Sequence, residues 1–121
     1  NIHKTPDGKF YVLDFDTSCE GFPMYDLALI CNKTHYFGFN ESGFGKSKEV
    51  LSRFLPGYMK HITLNQTEAN AFYDLIALYH FALQATIIEM YGPNCVDNTF
   101  LDEQLDWLYK WWAQCAKETR T

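Results

Sequence analysis

The strand-like pattern of this 121-residue chain is confined to its first fourteen residues, which restricts the folds it can adopt. Two strand-like runs, at residues 2–4 and 10–13, flank the sequence Thr5-Pro6-Asp7-Gly8-Lys9. In such a turn the proline presets its own φ, the aspartate bonds the local backbone and the glycine accepts a positive φ. The pattern predicts a β-hairpin over residues 2–14. No second strand-like run follows Leu13, so we expect the remainder to be helical.

Helical spacing of apolar residues and local start and stop signals define the rest of the chain. Pro23 suits the first turn of a helix, Asn65 and Glu68 form a capping-box start, and Gly92 with Pro93 is a stop signal. The predicted helices span about 23–37, 47–60, 66–91 and 99–118, with a glycine-rich linker at 38–45.

The last two predicted helices differ in how their apolar residues are distributed. The apolar residues of the helix at 66–91 lie around its whole circumference. This helix is therefore expected to be either central in the fold or in contact with a partner. In the last helix one stripe is expected to face the core, namely Leu101, Leu105, Leu108 and Trp112. Charged residues lie outside it, namely Asp102, Glu103, Asp106 and Lys110. The predicted fold is a single domain over residues 1–121, mainly α with a short N-terminal β-hairpin (α+β).

Composition limits the partners and the compartment. The net charge is −5 and there is no basic run, which argues against nucleic acid or an anionic membrane as partner. No apolar run is long enough to span a membrane. The four cysteines (Cys19, Cys31, Cys95 and Cys115) lack zinc-ligand spacing. Three Asn-x-Ser/Thr triplets would allow secretion, but we expect a reduced, cytoplasmic protein.

The sequence Asp14-Phe15-Asp16-Thr17-Ser18 at the end of the hairpin carries the first chemical signal. It fits the DxDx[TS] opening of haloacid-dehalogenase-type phosphatases, in which the first Asp attacks phosphorus and the second acts as acid and base. That fold is a parallel sheet with several further strands. Because no alternating strands and helices follow residue 18, this is the less favoured interpretation.

The order of motifs in residues 1–30 resembles the aminoglycoside phosphotransferase/choline kinase family. Members carry H-G-D-x-x-x-x-N, a hairpin, Asp-Phe/Trp-x, a short Gly-containing loop and then Asp-Leu-Ala. Here Asn1, the hairpin, Asp14-Phe15-Asp16, Gly21 and Asp26-Leu27-Ala28 follow in that order. The resemblance implies the C-terminal lobe of a protein-kinase-like fold, whose parent transfers a phosphoryl group from ATP or GTP to a small-molecule hydroxyl. Residues 25–32 look closest to homoserine-kinase-type members, and aminoglycosides and choline remain open.

The resemblance also assigns roles to the acidic residues. It implies that Asn1 and Asp14 are Mg²⁺ ligands and that Asp26 anchors the catalytic loop. The physical interpretation agrees, because Mg²⁺ takes oxygen ligands and these two positions are expected to be paired neighbours in the hairpin, so that both oxygens can reach one ion. Asp16 is either a ligand of a second metal ion or an exposed turn residue. Helix capping is the structural alternative for Asp26.

Aromatic and acidic residues of the last helix allow a second type of site. Aromatic faces beside carboxylates suit ammonium groups, so Asp102, Asp106, Trp107 and Trp111 are candidates for binding a cationic substrate. The favoured alternative is that the tryptophans pack in the core and the carboxylates are solvated.

Two expectations concern what precedes Asn1. The resemblance places the catalytic base and the nucleotide-binding Lys upstream of Asn1. The 121-residue chain alone is therefore expected to be inactive, and no catalytic residue is assigned within it. We further expect it to self-associate through apolar surface that its missing half would cover. The alternative to an enzyme is a non-catalytic helical interaction module, such as a pseudokinase.

Overall fold

The computed structural model describes residues 1–16 and 18–118. Its elements are β1 (Ile2–Lys4), β2 (Phe10–Val12), α1 (Pro23–Cys31), α2 (Gly43–Tyr58), α3 (Gln66–Asn70), α4 (Phe72–Tyr91), a 3₁₀ turn (Pro93–Cys95) and α5 (Asn98–Glu118). Within the described ranges a two-stranded sheet is joined to a mainly helical body, which confirms the predicted α+β class. No described helix has the length and hydropathy needed to cross a bilayer.

The N-terminal hairpin forms as predicted. Its strands are antiparallel, with Ile2 opposite Val12 and Lys4 opposite Phe10. The turn is closed by the Thr5 N–H, which donates to the Lys9 carbonyl over 2.9 Å, and Gly8 adopts a φ of 85°. Almost every side chain of the hairpin is exposed, on both faces of the ribbon.

Helix α1 ends at Cys31, so the predicted extension to residue 37 is wrong. The Asn32 side-chain oxygen accepts hydrogen bonds from the Thr34 N–H and the Thr34 hydroxyl, both at 2.8 Å. Such a local turn competes with the next helical hydrogen bonds. The Lys33 N–H is also withdrawn from the helix, because it donates to Ser47 Oγ over 2.9 Å.

Helix α2 begins at Gly43, inside the predicted glycine-rich linker, rather than at residue 47. The Ser47 hydroxyl donates to the Gly43 carbonyl over 2.7 Å and accepts from Lys33, which ties the start of α2 to the end of α1. A Cβ at position 43 would lie 3.3 Å from the Thr34 Cα, so glycine permits this close approach. The helix continues through Pro56 and ends at Tyr58.

The predicted helix at 66–91 is two helices, α3 and α4, interrupted at Ala71. The capping box is confirmed, because the Glu68 N–H donates to Asn65 Oδ1 over 2.9 Å and the Asn65 N–H donates to Glu68 Oε2 over 2.8 Å. The stop signal is also confirmed. Gly92 has a φ of 83° and its N–H donates to the Ile88 carbonyl over 2.8 Å.

The core lies where α1 and α5 pack against α4, with α2 against α1. Its fully buried members include Met24, Leu27, Cys31, Phe72 and Ile76. Two tryptophans of α5, Trp107 and Trp111, complete it and are each 1% exposed.

The predicted core face of α5 is wrong. Leu101, Leu105 and Trp112 are 47%, 49% and 53% exposed, and of that stripe only Leu108 packs against the core. The buried face is instead Gln104, Trp107 and Trp111. Two adjacent faces of α5 both carry large apolar residues, and the face with two indole rings provides more area to bury.

Candidate functional site

The candidate metal ligands Asn1 and Asp14 lie side by side at the open end of the hairpin. The Leu13 N–H donates to the Asn1 carbonyl over 2.8 Å, which extends the strand pairing to this end. The Asn1 side-chain Nδ2 donates to Asp14 Oδ2 over 2.9 Å. Both side chains therefore lie on one side of the ribbon, and both are exposed to solvent.

The contact within this pair is an N–H···O hydrogen bond of ordinary length, in which the Asp14 carboxylate accepts from the Asn1 amide over 2.9 Å. Mg²⁺ takes oxygen ligands, so metal binding by both side chains would require the Asn1 amide to turn. Rotation of the Asn1 amide group would present its oxygen in place of its nitrogen. Mg²⁺ commonly takes one or two protein carboxylates and completes its shell with phosphate and water. No cluster of three or more His, Cys, Asp or Glu residues suited to a metal ion is found among residues 1–16 and 18–118.

Asp14 is also unusual in its backbone. Its φ is 66°, and it is the single non-glycine residue with positive φ in the described part of the chain. Aspartate tolerates this left-handed region better than most residues, yet the conformation still costs free energy. It turns the chain away from β2 immediately after Leu13 and leaves the carboxylate beside Asn1.

Asp16 lies two residues further along, in an exposed turn. The Ser18 N–H donates to the Phe15 carbonyl over 2.9 Å in this turn. Within the described residues, no hydrogen bond joins Asp16 to the Asn1–Asp14 pair. The structure thus brings Asn1 and Asp14 into contact and places Asp16 beside them in sequence without a direct bond.

Asp26 stands at the first turn of α1, on the wall of an open recess of about 520 Å³. The recess lies between α1 and the loop that precedes it, and it includes Phe15, Phe22 and Tyr25. The Tyr58 hydroxyl donates to the Pro23 carbonyl over 3.2 Å. Burial raises the pKa of Tyr58, and the negative charge of Asp26 raises it further. Asp26 is exposed on the wall of this recess, and its anchoring role stays a prediction.

The structure separates the aromatic and acidic members of the candidate cation site. Trp107 stacks on His80 with ring centroids 3.8 Å apart and also lies against Trp111 at 5.4 Å. The Trp111 indole N–H donates to the Tyr73 carbonyl over 3.1 Å. Protein atoms thus cover both indole rings, as the core-packing alternative expects.

The two carboxylates of that candidate site lie on the outer side of α5. Asp102 and Asp106 are exposed, and Asp106 pairs with Lys110 over 2.6 Å. Neither shares a surface with the buried indole rings of Trp107 and Trp111.

A buried polar group between α4 and α5 was not predicted. His80 Nε2 lies 2.7 Å from Gln104 Oε1, and both residues are buried. With the Gln104 oxygen accepting, the His80 Nε2 carries the proton. Among the residues that the structure describes, none then provides a hydrogen-bond partner for His80 Nδ1 or Gln104 Nε2. The signal in the sequence was a glutamine on the same helical face as Trp107 and Trp111, which marks a polar position within an apolar face.

This buried histidine makes stability depend on pH. Burial lowers the pKa of His80 below its usual 6.5, and the Gln104 hydrogen bond opposes that shift. The folded state therefore holds a neutral ring at a pH where the unfolded chain already binds a proton. We expect the free energy of unfolding to be highest above about pH 6.5 and to fall as the pH drops below it, by at most about 1.4 kcal/mol per pH unit.

Chemical denaturation between pH 7.5 and 5 checks this dependence. In His80→Phe, which keeps an aromatic ring over Trp107 but does not titrate, the loss of stability should be smaller. His61→Gln removes an exposed histidine and serves as the matched control. Equal slopes for His80→Phe and the unmodified protein would contradict the assignment.

No protein-family model, curated protein or solved structure matches this chain.

Proposed function

We propose that this chain is the C-terminal, metal-binding lobe of an ATP- or GTP-dependent phosphotransferase with a protein-kinase-like fold. Its acceptor would be the hydroxyl of a small molecule similar to homoserine, an aminoglycoside or choline. The observation that carries the proposal is the 2.9 Å contact between Asn1 and Asp14, thirteen residues apart and joined by a hairpin. The order of motifs from Asn1 to Ala28 supports it.

In this proposal the chain binds the metal ion that would position the nucleotide phosphates. A bound Mg²⁺ ion would neutralise the nucleotide phosphates during transfer. Asn1 and Asp14 would each supply an oxygen ligand, and Asp16 is the candidate for a second ion. Because both ligands are exposed at the end of the ribbon, a nucleotide could approach them from solvent. Asp26 would fix the catalytic loop through that loop's backbone N–H groups.

The exposed hairpin also supports a larger parent protein. Large apolar side chains on both faces of the ribbon are open to solvent, among them Ile2, Phe10, Val12 and Leu13. A two-stranded hairpin is only marginally stable in water without a covering surface. In the proposal, an upstream lobe covers the exposed hairpin. That lobe would also carry the catalytic base and the nucleotide-binding Lys. The protein would act in the cytoplasm, where its thiols stay reduced.

A non-catalytic interaction module is the second candidate function. The exposed apolar stripe of α5 favours it, because surfaces of this kind commonly mark protein contacts. The haloacid-dehalogenase alternative has less support, since the described residues hold one two-stranded antiparallel sheet and that fold needs a parallel one.

The decisive test uses the protein with its upstream sequence included. We expect Mg²⁺-dependent release of ADP or GDP that is stimulated by at least one acceptor in a panel of amino alcohols and aminoglycosides. The 121-residue chain alone should release none, because the base and the Lys would be missing. A folded, longer protein that binds nucleotide but shows no transfer to any acceptor would favour the non-catalytic module.

A further inference from the structure

We draw no further inference here: the strongest candidate, the cluster of buried polar side chains between α4 and α5 that contains His80 and Gln104, belongs to the helix contact already described, and nothing in the part of the chain that the structure describes shows what its unpartnered polar atoms would bind.

Discussion

If the proposed phosphotransferase function is right, replacing Asp14 with Asn should lower the activity of the proposed full enzyme by about 10²- to 10³-fold or more. Asparagine accepts the positive φ of 66° at this position as readily as aspartate does. It can also keep a hydrogen bond to Asn1, so the hairpin end should stay folded. What it loses is the negative charge, and a neutral amide is a far weaker ligand for Mg²⁺ than a carboxylate.

The measurement is the initial rate of nucleotide diphosphate release as a function of Mg²⁺ concentration. Asp14→Asn should need much more Mg²⁺ for half-maximal rate, which a purely structural defect would not produce. The matched control is Asp7→Asn, an exposed carboxylate in the turn of the same hairpin, whose hydrogen bonds to Thr5 and Lys9 lower its pKa. This control should stay within about twofold of the unmodified protein. If Asp14→Asn retained more than a third of the activity, Asp14 would not be a metal ligand.

Replacing Trp107 with Ala should reduce the free energy of unfolding by about 3–5 kcal/mol. The indole is 1% exposed and lies between the His80 ring at 3.8 Å and the Trp111 ring at 5.4 Å. Truncation removes its apolar area and leaves a cavity that the surrounding rings fill only in part. Small domains are stable by about 5–15 kcal/mol, so this variant should be partly unfolded near physiological temperature.

Trp112→Ala provides the matched control, because it removes the same side chain from the same helix at a position that is 53% exposed. Its cost should be below about 1 kcal/mol. Urea denaturation at low micromolar protein gives both values. Comparable losses in the two variants would mean that the burial of Trp107 is not what stabilises the contact between α4 and α5.

The helix boundaries depend partly on signals that the sequence carries and partly on contacts that it does not reveal. The capping box of Asn65 and Glu68 and the stop at Gly92 depend on residues three or four positions apart, and both were predicted. The end of α1 at Cys31 was not predicted, because it depends on the Lys33 N–H bond to Ser47, fourteen residues away, as well as on the local turn in which Asn32 accepts from Thr34. The early start of α2 has the same cause, since Gly43 is packed against Thr34.

The candidate site also depends partly on local sequence signals and partly on tertiary contacts. By itself the sequence determined the hairpin and its turn, because turn chemistry is local. The strand register places Asn1 opposite Leu13, so the contact between Asn1 and Asp14 depends on the positive φ of 66° at Asp14, which the sequence pattern did not predict. Only the tertiary structure decided which face of α5 is buried, since Leu101, Leu105 and Trp112 compete with Trp107 and Trp111 at the same helical spacing. That choice depends on the shape of the gap beside His80 and Phe44, which arises when α1, α2 and α4 pack together and which no local pattern encodes.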